Sequence, residues 1–211
     1  ESPGREESIA EQLSRIKNGQ VADFSDRTDP IIIPVVVHVI HDGGVSDISF
    51  EQILSGIELL NEDFNRLNPD TLNTRNTSNA PFETIAANTG ISFELAKIDP
   101  DGNCTNGVER RFSPSVTNGA SNNAKHYDQG GLDAWNRNDY MNIWIVNSIE
   151  SDGGGTTLGY AEFPYSGGSS NYGVIIRHDA YGTTGTSTSG ERTLTHEIGH
   201  CLGLYHTFQG G

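Results

Sequence analysis

Between Pro30 and Asp42 the chain runs Ile31-Ile-Ile-Pro-Val-Val-Val-His-Val-Ile-His41. This run is β-branched and almost wholly apolar, so as a strand it has no polar face to turn to water. It must be covered on both sides, which is the condition of a strand inside a layered, largely parallel sheet. Ile31 to Ile40 is too short to span a bilayer. Pro34 has no N–H for a ladder, so full pairing is expected from Val35.

The rest of the chain supplies partners for this strand. Phe50, Ile53, Leu54, Ile57, Leu60 and Phe64 recur at three and four residues and predict an amphipathic helix. Ser49 and Gln52 have capping-box spacing at its start. Ile91, Phe93 and Leu95 alternate, which predicts a half-buried strand over 91–98. Asn142 to Ile149 is a further apolar run and predicts a central strand. Leu158 to Phe163 is expected as an edge strand, with Glu162 exposed, and Gly173 to Arg177 as a fifth strand. Glu191 to Leu202 reads as a helix, with Thr188 and Glu191 spaced as its capping box. The segment 100–140 is long for a loop, and a short helix is expected within 123–136, around Ala134 and Trp135. Residues 1–30 stand apart. Ile9, Leu13 and Ile16 have helical spacing there, and Asp29-Pro30 marks a boundary; the segment reads as a linker or a pro-segment remnant. Strand, helix, three strands, another strand and a helix make a mixed α/β layer with helices on a twisted sheet.

Charge narrows the function. Across 211 residues, 13 Lys+Arg stand against 28 Asp+Glu, for a net charge of -15. No basic excess is present to neutralise phosphates, which argues against nucleic acid and against an anionic membrane surface. Two cysteines, Cys104 and Cys201, exclude a disulfide-dense scaffold and a four-cysteine zinc site. Few Lys among many Gly, Ser, Thr and Asn suggests a secreted, extracellular protein, where these two cysteines are expected to form a disulfide. Glu1 opens an acidic stretch with no signal-peptide pattern.

The chemistry is concentrated at Thr195-His-Glu-Ile-Gly-His-Cys-Leu-Gly-Leu-Tyr-His206. This contains H-E-x-x-H-x-x-G-x-x-H, a known zinc-protease signature. On a helix, residues four apart lie one above the other, so His196 and His200 can point at one ion. Glu197 lies about 100° round the helix from His196, placed to reach a water on the ion without binding it. Gly203 suits the left-handed residue that ends a helix, and His206 can then return to the same ion. Three imidazoles and a water make an open tetrahedral zinc site. With this chain's composition, the pattern arises by chance in roughly one of 10⁴ such chains. His38, His41, His126 and His178 have no partner at ligand spacing and read as structural or solvated. Asp99-Pro-Asp-Gly-Asn103 begins like a calcium loop but lacks the downstream bidentate Glu, so it reads as a turn.

At these residues the sequence resembles the metzincin zinc endopeptidases, and within them the pappalysin family. Ile33-Pro-Val-Val-Val-His-Val39, Asp99 to Asn103, Leu158-Gly-Tyr-Ala-Glu-Phe-Pro164 and Thr193 to Phe208 carry the resemblance. It implies a metzincin-like upper subdomain over 31–203, with the start of a truncated lower subdomain at 204–211. Its twisted five-stranded mixed sheet has order 2-1-3-5-4, strand 4 antiparallel, a backing helix and an active-site helix. It also implies His196, His200 and His206 as zinc ligands and Glu197 as general base and acid. The edge strand around Leu158, Gly159 and Tyr160 matches the upper rim of a cleft for a protein or peptide substrate. Family members are usually secreted, made with a pro-segment and often bind calcium. A methionine turn follows the third histidine in metzincins. Here Met141 is the sole methionine and precedes the motif, so a C-terminal segment of the same polypeptide is an expected partner. The expected activity is endopeptidase hydrolysis by a zinc-held water that Glu197 activates. The alternative is a zinc-holding but inactive fragment serving in binding or assembly with another polypeptide. An adhesive or carbohydrate-binding module rests only on the Gly/Ser/Asn-rich loops.

Overall fold

In the computed structural model, which describes residues 29–206 apart from 78–79, 85, 117–121, 151–154, 166–167 and 189–191, the run Ile31–His41 is strand β1. The helical spacing of Ile9, Leu13 and Ile16 lies outside the described residues. The chain divides into two compact units, Glu1–Pro30 and Ile31–Gly211. In the second, β1 is followed by helix α1 (Phe50–Phe64), β2 (Ile91–Leu95), β3 (Val108–Phe112), β4 (Met141–Val146), β5 (Gly159–Ala161), β6 (Val174–Arg177) and helix α2 (Thr193–Cys201). Asn76–Thr77 and Ala80–Pro81 pair as a separate small hairpin.

The sheet order is β2-β1-β4-β6-β5, with only β5 antiparallel to its neighbour. This is the expected order of five strands. Their bounds are tighter than the apolar runs suggest: 91–95 rather than 91–98, 141–146 rather than 142–149, and 159–161 rather than 158–163. β1 pairs β2 from Ile31 but meets β4 only from Val35. Pairing on both sides therefore begins just past Pro34.

A sixth strand, β3, extends the edge that β2 begins. β2 pairs Ile31 to Val35, and β3 pairs Val37 to His41. Its sequence, Val-Glu-Arg-Arg-Phe, lacks apolar alternation because its charged side chains have fixed partners. Arg110 reaches Asp47 Oδ1 at 2.6 Å and the Ile48 carbonyl at 2.7 Å. Arg111 reaches the Tyr127 carbonyl at 2.7 Å.

The pleat of β1 sorts its side chains between two faces. Val35, Val37 and Val39 enter the main core with Ile53, Ile57 and Leu60 of α1 and Leu194, Ile198 and Cys201 of α2. On the other face Val36 packs with Trp135, and Ile40 with Trp144 and Ala124. Both faces are covered, as the apolar run requires. The covering segment on this second face contains short 3-10 turns at Asn123–Lys125 and Tyr127–Gln129. The helix expected around Ala134 and Trp135 is absent, because side chains of the sheet hold the backbone of this stretch instead. Asn142 takes both the N–H and the carbonyl of Trp135, at 2.8 and 3.0 Å.

Caps and cysteines depart from expectation in part. Ser49 accepts from the Gln52 N–H at 3.1 Å, but the Gln52 amide serves the loop after β6, donating to the carbonyls of His178 and Tyr181 at 2.7 and 3.0 Å. Thr188 does not cap α2, whose N-cap position is Arg192; its backbone N–H donates to the Asp179 carbonyl at 2.9 Å. Glu191 lies outside the described residues. The expected disulfide is not formed. Cys201 is buried in the main core, while Cys104 is exposed and pairs with Ile98 in an isolated bridge beyond β2. β2 and the strands under α2 lie at opposite ends of the sheet. Strand spacings of about 4.8 Å put them well beyond the ~7 Å Cα separation a disulfide spans.

Candidate active site

Helix α2 divides its residues between the core and the site. Leu194, Ile198 and Cys201 are buried toward the sheet. His196 and His200, two positions from Leu194 and Ile198, are carried to the far side of the helix. The helix start is tied to the end of α1. Thr195 donates to Asp63 Oδ2 at 2.7 Å, and Arg192 pairs with Asp63 at 2.8 Å. Arg192 also grips Asp70 with two nitrogens, at 2.8 and 3.0 Å, and holds that carboxyl well below the usual range.

The helix ends in a Schellman turn. The Leu204 N–H donates to the Gly199 carbonyl and the Gly203 N–H to the His200 carbonyl, both at 2.9 Å. Gly203 has φ of 92°, a conformation glycine adopts without steric cost. This reversal brings His206 back to the helix. Its Nε2 lies 3.0 Å from that of His196 and 3.1 Å from that of His200, and the two helix nitrogens are 3.1 Å apart.

Such a triangle invites a cation. The Leu204 carbonyl lies 2.7 Å from His200 Nδ1 and can only accept, so that nitrogen carries the proton. The Nε2 lone pair of His200 then faces the centre. Burial, followed by the two neighbouring histidines, lowers the His196 pKa and favours the neutral ring that metal binding needs. Zinc–nitrogen bonds of about 2.0–2.1 Å in tetrahedral geometry imply nitrogens about 3.3 Å apart, close to the separations seen. The donor set therefore fits zinc. Among the described residues these three form the one grouping of His, Cys, Asp or Glu with this convergence.

Glu197 points between the helix and the edge strand. It is buried, and burial raises its pKa to about 7, with His200 pulling the other way. Gly159 of β5 makes its position possible. A Cβ there would sit 3.1 Å from the Ile175 carbonyl oxygen, 3.2 Å from Thr193 Cγ2 and 3.3 Å from Glu197 Cγ. Leu158, Gly159 and Tyr160 are all half-buried, and among the described residues β5 pairs with β6 alone, at the end of the sheet. Two adjoining hollows flank the helix here. One is lined by Thr156 to Gly159 with Arg192, His196 and Glu197, the other by Gly159 to Ala161 with Phe163 and the three histidines. A groove thus follows the strand on both sides of the histidines.

The other histidines sit elsewhere. His38 is buried between Glu109 Oε2, at 2.8 Å, and Asn142 Oδ1, at 3.0 Å, and stacks on Trp144. His178 lies 2.9 Å from the Thr186 hydroxyl. Asp99 closes its turn by accepting the Asp101 and Asn103 N–H groups at 3.0 and 2.8 Å. Sequence reasoning missed the Asp63–Arg192–Thr195 tie and the aromatic residues Phe163, Tyr165 and Tyr205. Phe163 sits 5.2 Å from the His200 ring. A single sequence gives no periodic signal for such contacts.

Residues 124–211 match the peptidase family described as pregnancy-associated plasma protein-A. An extracellular metalloprotease of Arthroderma gypseum is 25% identical over 200 residues, covering 92% of this chain and 54% of the relative. Among solved structures, a Tannerella forsythia promirolysin mutant superposes with TM-score 0.81 at 38% identity, over 97% of this chain and 65% of that one. Mature mirolysin of the same organism, in complex with a cleaved peptide, gives 0.73 at 39% identity, over 85% and 65%. The chain spans about half the length of that fungal relative and less of some others, down to 25%.

Proposed function

We propose that this chain, whose residues 124–211 match that metallopeptidase family, is the upper part of a secreted zinc-dependent endopeptidase. The observation that carries the reading is the convergence of the three Nε2 atoms of His196, His200 and His206 within 3.0–3.1 Å, with the buried Glu197 carboxyl beside them. These histidines would hold the ion, which when bound supplies Lewis-acid polarisation of the scissile carbonyl and acidifies water.

The chain's own residues do the rest. Glu197 takes a proton from the attacking water and returns it to the leaving amine. The substrate lies extended along β5 and pairs by strand addition with Gly159, whose backbone groups turn away from β6, while Leu158, whose carbonyl accepts from the Arg177 N–H at 2.9 Å, and Tyr160 flank it. Support comes from the groove along that strand and from the cleaved peptide present with mature mirolysin. Secretion is supported by the extracellular designation of the fungal relatives. No described helix is long and apolar enough to cross a membrane. Residues 1–30 are read as a linker or a pro-segment remnant. Promirolysin covers 97% of this chain and mature mirolysin 85%, a difference close to that length.

The test is hydrolysis of an unfolded protein by the full natural polypeptide. Glu197→Ala is expected to retain zinc and to lose about 10²–10⁴-fold in turnover. Wild-type turnover from that variant refutes its role. Zinc without turnover in the unmodified protein favours a binding or assembly function.

A further inference from the structure

His206 differs from the other two proposed ligands in standing on neither helix nor strand. The Schellman turn sets its approach, yet a further device is needed to hold its ring. Tyr205, the residue before it, supplies one. The Tyr205 ring stacks on Phe163 with centroids 4.9 Å apart and planes 29° apart. Phe163 stacks in turn on Tyr165 at 5.6 Å and leans on the His200 ring at 5.2 Å. The Tyr165 hydroxyl donates to that of Tyr205.

The segment carrying Phe163 and Tyr165 follows β5 directly, and it is itself anchored. The Pro164 carbonyl accepts from Arg137 at 2.7 Å, and the Arg137 guanidinium lies 4.0 Å over the Tyr172 ring. The Tyr172 hydroxyl donates to the Cys201 carbonyl at 2.8 Å, at the end of α2. The aromatic trio therefore rests on the same helix that bears His196 and His200.

From these contacts we propose that Phe163, Tyr165 and Tyr205 form a latch that positions His206 for the metal. The proposal rests on the metal reading above and adds what completes the site. Phe163 is its hinge, since its ring touches both tyrosines and a ligand on the helix. The three are positioning residues. The latch also joins the end of the proposed substrate strand to the third ligand, so the strand and the metal site share one wall.

Cobalt(II) absorption and zinc competition on the purified chain test this without any turnover assay, with His206→Ala as the two-histidine reference. Groups that orient ligands typically contribute about 10–100-fold to metal affinity. Phe163→Ala is expected to lose affinity in that range, and its cobalt spectrum to move toward that of His206→Ala. Phe163→Tyr keeps the stacked ring and is expected to restore both. Tyr165→Phe and Tyr205→Phe are each expected to lose a few-fold, and the double variant no more than either alone, because one bond is lost in all three. Wild-type affinity and spectrum in Phe163→Ala would overturn the latch while leaving the metal reading intact. A wild-type chain that takes no cobalt overturns both. Should Phe163→Ala fail to fold, strict additivity of the two tyrosine variants, or no effect from either, overturns the hydroxyl half of the latch.

Discussion

Two regions build the metal site, and they are made differently. His196 and His200 stand on a helix whose inner face is sealed into the main core by Leu194, Ile198 and Cys201. His206 stands on a turn whose neighbours are open to solvent, with Leu204 65% and Tyr205 37% exposed. The helix ligands are placed by the same burial that stabilises the fold. The turn ligand depends on one glycine, two backbone hydrogen bonds and a few aromatic contacts. Preorganisation is thus inherited from the core for two ligands and assembled locally for the third.

The largest effect expected from this contrast is on stability. Ile198 is fully buried under the helix ligands. Ile198→Ala is expected to cost about 2–5 kcal/mol in urea unfolding. Leu204→Ala, in the exposed turn, is expected to stay within about 0.5 kcal/mol. Similar losses from both would break the distinction between the regions.

A smaller effect is expected at the hinge between them. Among the described residues a Cβ at Gly203 would meet only Pro164 Cγ, at 3.7 Å, an ordinary van der Waals contact. The cost of Gly203→Ala is then the left-handed backbone alone, about 1–2 kcal/mol. Gly203→Asn is expected to recover part of it, since Asn tolerates that conformation better. Zinc affinity is expected to fall in Gly203→Ala while the helical circular dichroism is kept. Equal stability of the alanine variant and the wild type would show that the turn does not constrain His206.

The sequence made the core-built region legible and left the locally built one largely hidden. The apolar run of β1, the period of α1 and the spacing from His196 to His206 all record burial or coordination, which repeat at fixed intervals. The main strands and the convergence of the histidines could be anticipated from them, while the order of the strands comes from the resemblance to metzincins. β3 could not, because Glu109, Arg110 and Arg111 erase the alternation, and their partners Asp47, His38 and the Tyr127 carbonyl lie far along the chain. The stretch around Trp135 was misread as helix because the hold of Asn142 on its backbone is a tertiary bond between residues of unremarkable type. Pairing Cys104 with Cys201 rests on their number and on an extracellular setting, neither of which carries their places in the fold, and the sheet separates them. The ring contacts of Phe163 with Tyr205 join positions 42 apart and leave no local pattern.

The central claim, that these two regions meet on one metal ion, is tested most directly by metal analysis of the purified wild type, His200→Ala and His206→Ala after equilibration with zinc. The wild type is expected to hold an equivalent of zinc. Loss of the core-built ligand in His200→Ala is expected to abolish binding, and loss of the turn ligand in His206→Ala to leave a weaker site that a chelator strips readily. His200→Ala holding as much zinc as the wild type would contradict the account.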